Sequence, residues 1–199
     1  VNDYNGASDA SGTYPVGTTT VTWTVTDNSG NTDTDIQLIT VTDNESPSIV
    51  TTGVVNATND LGQCKATVTL SSPTTSDNCG VLSVTSDAPG NALYSVGTST
   101  VTWTVTDIHG NTSTATQDVI VIDTESPVIS TPLPVSATVN LGSCDAQVSI
   151  SAVPVTDNCG VSSVVNDYNG TSDASDTYSL GSTTITWTAT DIYGNTSTT

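Results

Sequence analysis

Thr100-Val101-Thr102-Trp103-Thr104-Val105-Thr106 alternates strictly between apolar and hydroxylated side chains. In an extended chain successive side chains point to opposite faces, so Val101, Trp103 and Val105 share one face and the threonines the other. Val and Thr are stiff at χ1 and suit a pleated, half-buried surface, which strengthens the strand assignment. Val21, Trp23 and Val25 repeat the pattern, as do Ile185, Trp187 and Ala189. Trp23, Trp103 and Trp187 are therefore predicted to be core residues rather than sugar-stacking platforms. After the decisive stretch, Asp107-Ile108-His109-Gly110-Asn111 predicts a turn, and Thr112 to Ile122 the returning strand. Upstream strands are predicted at Ser48 to Val55, Ala66 to Leu70 and Val81 to Thr85. Short strands punctuated by Gly, Pro, Asn and Asp predict an all-β antiparallel sandwich of about seven strands. No window has a 3.6-residue period, so almost no helix is expected.

The same stretch belongs to a repeat. Asp43-Asn44-Glu45-Ser46-Pro47 recurs as Asp123-Thr124-Glu125-Ser126-Pro127, and Cys64 and Cys79 recur as Cys144 and Cys159. Both shifts are 80 residues, whereas Trp103 and Trp187 are 84 apart, so a four-residue insertion lies between Cys159 and Trp187. It is expected to lengthen a surface hairpin, and Val1 to Gly6 repeats it at Val165 to Gly170. Residues 1–42 thus read as the back half of a unit, 43–122 as a whole unit and 123–199 as one lacking its last strand. The pattern predicts a window onto a longer tandem array, whose partners are neighbouring repeats of the same chain.

Composition excludes several functions. One Lys and no Arg face 20 acidic residues, a formal net charge of -19. Nucleic-acid binding by counterion release needs clustered cations and is excluded, as is docking of a basic patch on an anionic membrane. No apolar run is long enough to insert in a bilayer. With 41 threonines and 34% hydrophobic residues, disorder is the competing reading, and the ordered alternation argues against it.

A unit of 80 residues with one Trp and no Phe has a thin core and needs reinforcement. Cys64, Cys79, Cys144 and Cys159 are expected to supply it as disulfides, paired within each unit. Closing the 15-residue loop from Cys64 to Cys79 would stabilise by ~3 kcal/mol. Two cysteines without a nearby His cannot complete a zinc site. Disulfides imply an exported, oxidising setting at the cell surface or beyond it.

Cys64, the Asp77-Asn78-Cys79-Gly80 signature, the Tyr94 to Trp103 stretch and Asp107-x-x-Gly110-Asn111 resemble the hyalin repeat (HYR) domain along the whole chain. The resemblance implies tandem immunoglobulin-like sandwiches with a role in adhesion and spacing, and no catalysis. Low Lys and Arg with high Thr also resemble the large surface adhesins of Bacteroidota, including those of gliding motility.

The carboxylates are the candidate ligands. Asp43, Glu45 and Asp107 at one junction, and Asp123, Glu125 and Asp191 at the next, could supply part of the six to eight oxygens that Ca²⁺ takes. A cation would relieve the net charge of -6 carried by residues 43–122. The alternative is that these Asp and Asn residues only shape turns. Paired carboxylates also suggest glycosidase chemistry, but an active site is normally singular and these recur in every copy. His109 is replaced by Ser29 and Tyr193, and Lys65 by Asp145, so neither carries a repeated chemistry. The threonine row Thr20, Thr22, Thr24 and Thr26 is better explained by β-propensity than by ice binding, because a twisted strand offers no flat surface.

The expected function is a spacer or stalk in an extracellular filamentous adhesin, projecting a distal binding domain, with lateral bundling between chains a further option. Two alternatives stay open: repeat loops that bind polysaccharide, other cells or a partner protein directly, and accessory domains of a secreted hydrolase.

Overall fold

A computed structural model describes residues 1–199, and the chain is all-β, with 17 strands and no helix. It divides into two compact units whose borders cut through the repeats. The first comprises Val1–Val50, Thr74–Thr85 and Thr104–Thr114, the second Thr51–Pro73, Ser86–Trp103 and Ala115–Thr199.

In the first unit β1 (Gly17–Thr26) and β2 (Thr32–Val41) form an antiparallel hairpin with Val21 opposite Gln37 and Trp23 opposite Asp35. Val21 is fully buried, but Val25, Ile36 and Leu38 are each more than 60% exposed. Trp23, expected in a core, is half-buried. The two strands pair only with each other in their sheet, and much of the hairpin's apolar face stays in water. Ser48 to Val55 does not form one strand. It divides into β3 (Ser48–Val50) and β4 (Val55–Thr58), and Gly53, at φ 86, breaks the run.

The strands that follow are β5 (Lys65–Thr67), β6 (Thr74–Ser76), β7 (Val81–Ser86), β8 (Leu93–Ser95), β9 (Gly97–Asp107) and β10 (Thr112–Ile122). Residues 43–122 thus hold eight strands rather than about seven. β3 pairs with β6 and β5 with β8, both antiparallel, while β4, β10, β9 and β7 lie in that order in one sheet. β4 runs parallel to β10, with Val55 opposite Val119. Val101, Val105, Val119 and Val121 are at most 2% exposed and Trp103 is 8%, as the alternation requires. The Trp103 indole donates to Gln117 Oε1 at 3.0 Å, and Gln117 Nε2 donates to Thr52 Oγ1 and the Gly53 carbonyl. A buried indole N–H without an acceptor would be costly, so this glutamine completes the core.

The rest of the second unit contains β11 (Val128–Ile129), β12 (Asp145–Val148), β13 (Val155–Thr156), β14 (Val161–Asn166), β15 (Asp176–Ser179), β16 (Trp187–Asp191) and β17 (Thr196–Thr198). β11 pairs with β13, β12 with β15, and β16 lies between β14 and β17. Val153, Ala174 and Trp187 form the buried cluster, with Ile129, Ile150, Val155, Val164 and Ile185 against it. Residues 135–138, the counterparts of β4, form no strand.

The four-residue insertion is an ordered loop built around Asn166, which is 3% exposed. Its amide donates to Asn169 Oδ1 and to the carbonyls of Thr171 and Asp173, and its Oδ1 accepts from the Tyr168 and Asn169 backbone. Tyr168 stacks on Tyr178 at 4.5 Å. Asn2 and the Tyr4–Tyr14 stack reproduce this arrangement.

Candidate functional site

Each long hairpin turns on an aspartate. Asp107 Oδ1 accepts from the backbone N–H groups of His109 and Asn111, both at 2.8 Å, and Oδ2 from Asn111 Nδ2 at 2.7 Å. Asp191 does the same with Tyr193 and Asn195, and Asp27 with Ser29 and Asn31. Burial pushes the Asp107 and Asp191 carboxyls up, but the hydrogen bonds from the Asn side chain and turn backbone outweigh it and hold both below the usual carboxylate range. The turn-forming role expected of these residues is real. It leaves each carboxylate fixed in position and charged.

A second aspartate arrives from the loop before the second cysteine. Asp77 Oδ1 accepts from the N–H groups of Cys79 and Gly80 at 2.8 and 2.9 Å. Asp157 does so from Cys159 and Gly160. In both residues Oδ2 is buried without a partner. The third aspartate opens the repeat, with Asp43 Oδ1 accepting from the Glu45 backbone and Asp123 Oδ1 from that of Glu125. Asn111 Nδ2 also reaches the Asp43 carbonyl and Asn195 Nδ2 that of Asp123, each at 3.3 Å. Two carboxylate triads result, Asp43–Asp77–Asp107 and Asp123–Asp157–Asp191, each with oxygens within 4.8 Å of one another. In the second, Asp123 is 4% exposed, and its Oδ2 and the neighbouring Asn158 Oδ1 are buried without partners. Buried polar oxygens are normally satisfied, and three clustered carboxylates repel one another. This donor set suits a hard divalent cation.

Of the carboxylates expected at each junction, two converge and the glutamate does not. Asp43 and Asp107 come together, as do Asp123 and Asp191, but the third member is Asp77 or Asp157 rather than a glutamate. Glu45 is exposed. Glu125 Oε1 instead accepts from Asn59 Nδ2 and the Gly62 N–H, both at 2.7 Å. His109 Nδ1 lies 3.1 Å from Asp43 Oδ2, and Asp43, Cys79 and His109 also cluster. The next repeat has Tyr193 at the His position, so that set is not a property of the repeat.

The Glu125 contact is part of a larger one within the second unit. The turn Asn59 to Cys64 meets both the start of the next repeat and its cysteine loop. Thr124 N–H donates to Asn59 Oδ1 at 3.0 Å, and Asn158 Nδ2 donates to the Gln63 carbonyl at 3.0 Å. Cys64 is disulfide-bonded to Cys159, Cα to Cα 4.7 Å, while Cys79 and Cys144 are free thiols. This corrects the expected pairing of Cys64 with Cys79 and of Cys144 with Cys159. The bridge crosses the repeat junction, because the turn that carries Cys64 lies against the loop that carries Cys159. No local loop-closure estimate contains that fact.

A chain of β-sandwich repeats, two of them joined by a turn, a glutamate and a disulfide, defines a tandem β-repeat protein. The HYR domain matches residues 42–121 and 122–199, and the chain belongs to the HYR-domain family. It is similar to hyalin of Lytechinus variegatus, 32% identical over 191 residues that cover 92% of this chain and 35% of that protein. It is also similar to hyalin of Strongylocentrotus purpuratus, 30% identical over 200 residues covering 96% of this chain and 16% of that protein. The chain thus spans about a third or less of the length of these relatives.

Proposed function

We propose that this chain is a structural segment of an extracellular adhesive protein, in which serial HYR repeats act as a spacer for a binding domain elsewhere. The observation that carries this reading is the junction, whose conspicuous polar side chains and disulfide join one repeat to the next. Disulfide bonding also favours an exported setting. The likeness to bacterial gliding adhesins rests on composition alone, whereas both relatives named above are sea-urchin hyalins. Immobilised chain tested on glycan arrays and on cell layers separates the readings. Absence of saturable binding supports the spacer, and saturable binding to one glycan or cell type favours loops that bind directly.

A second element of the reading is that each carboxylate triad binds Ca²⁺. The buried, unpartnered Oδ2 of Asp123 supports it, with Asp157 and Asp191 as companions. A site filled to 100 times its dissociation constant would stabilise the fold by about 2.7 kcal/mol. The unfolding temperature in excess Ca²⁺ should then exceed that in EGTA, and Asp43→Asn combined with Asp123→Asn should abolish most of the difference. Superimposable melting curves would contradict the site.

A further inference from the structure

We propose that Cys79 and Cys144 belong to a ladder of bridges across repeat junctions, each joining the first cysteine of one repeat to the second cysteine of the next. The inference rests on reading the chain as part of a longer array, and extends it to the covalent connection. The one bridge in the structure, Cys64 to Cys159, is the first rung. The 80-residue repeat carries Cys64 onto Cys144 and Cys159 back onto Cys79. The free cysteines are therefore the same two half-sites, one of each kind.

Local geometry agrees at both positions. The Cys64 carbonyl accepts from Val96 N–H and the Cys144 carbonyl from Leu180 N–H, each ahead of an antiparallel pair. Gly62 and Gly142 give the preceding turn the same left-handed step, φ 70 and 85. The Leu61 and Leu141 side chains stand at least nine-tenths exposed on these turns. Cys79 and Cys159 occupy equivalent loops, each closed by an aspartate that accepts from the cysteine and glycine N–H groups. The docking groups are repeated too. Glu125 and Asn158 hold the Cys64 turn, and their counterparts Glu45 and Asn78 flank Cys79 without such a partner in this chain. Across the turn Asn59, Asp60 and Gln63 become Val139, Asn140 and Ser143, so a further junction would keep the contacts to the turn backbone and lose those of the Asn59 side chain.

Forming such a rung removes two protons and two electrons from a pair of thiols, and a disulfide carrier of the exporting compartment accepts them. The thiolate of one cysteine attacks the carrier disulfide and releases one carrier thiol. The thiolate of the other then attacks the mixed disulfide and releases the second. Cys144, being exposed, is the accessible first attacker.

The test lengthens the chain by a second copy of residues 116–199 placed after Thr199, in phase because Thr199 is the counterpart of Ala115. A Ser163→Ala mark in the second copy distinguishes its cysteine peptide by mass. After oxidation with glutathione, cleavage before aspartate puts each cysteine on its own peptide. The expected result is two rungs: residues 60–76 linked to unmarked 157–166, and 123–144 of the first copy linked to marked 157–166. The free thiols should stay at two, Cys79 and the second-copy Cys144. A first-copy Cys144→Ser change should free the marked cysteine without redirecting it. Linkage of 60–76 to 77–86, or of 123–144 to 157–166 of its own copy, would overturn the ladder. If the lengthened chain does not fold, native alkylation of the 199-residue chain decides. Labelling at Cys79 and Cys144 alone agrees with the ladder, and any other pattern contradicts it. Glycan binding would defeat the spacer reading and leave these linkages unchanged.

Discussion

The β1–β2 and β9–β10 hairpins share a sequence pattern and differ in what covers them. Both run Thr-Val-Thr-Trp-Thr-Val-Thr, turn on an Asp–Asn pair and return. Val105 is fully buried while its counterpart Val25 is 67% exposed, and Trp103 is buried where Trp23 is half-buried. Each indole donates to a glutamine, Gln117 or Gln37, but only the first glutamine is buried and anchored further. Alternation decides which side chains share a face. The other strands of the repeat decide whether that face leaves water, and most of the burial energy resides there.

The contrast can be broken by mutation. The largest difference is expected at the tryptophans, where Trp103→Ala should cost about 3–5 kcal/mol and Trp23→Ala about 1 kcal/mol or less. Equal losses in urea unfolding would mean that β1–β2 is covered as fully as β9–β10. Next come the cysteines. Cys64→Ser opens a bridge spanning 95 residues and should cost about 2–5 kcal/mol, whereas Cys79→Ser should change stability by under about 0.5 kcal/mol. The reverse order would place the bridge inside the repeat. At the glutamines, Gln117→Ala strands a buried indole N–H and should cost about 1–3 kcal/mol, while Gln37→Ala should be within about 0.5 kcal/mol of neutral.

The smallest effect sharpens the comparison at the turns. The Asn31 side chain, then its backbone, hold the exposed Asp27 carboxyl below its usual range. The stabilisation from that turn is present above the unfolded carboxylate pKa of about 3.9. It is lost as pH falls through the lower folded value. An NMR titration of Asp27 should show a midpoint below that of a model aspartate, and a midpoint at or above it would mean the turn is open.

Much of this was legible in residues close together along the chain. Period-two alternation located the long strands, and the 80-residue repeat located the unit, its cysteines and the equivalence of Asp43 with Asp123. The cysteine partners were not legible, because a 15-residue loop is the natural local choice and the true contact depends on how one repeat's turn meets the next repeat's loop. Asp77 and Asp157 hid for a similar reason. Each looks like a turn former, and is one through Oδ1, while its Oδ2 points where three separate segments converge. Glu125 was sequence-adjacent to that convergence yet faces the preceding repeat. In sequence the Asn166 loop reads as a plain hairpin extension, because an organising asparagine has no periodic signature.

The disulfide from Cys64 to Cys159 joins two repeats covalently across their junction. Digestion of the unreduced 199-residue chain before aspartate, followed by mass measurement, tests it directly. Residues 60–76 should emerge linked to 157–166, with 77–86 and 123–144 recovered as free thiols. Recovery of 60–76 linked to 77–86 would contradict it.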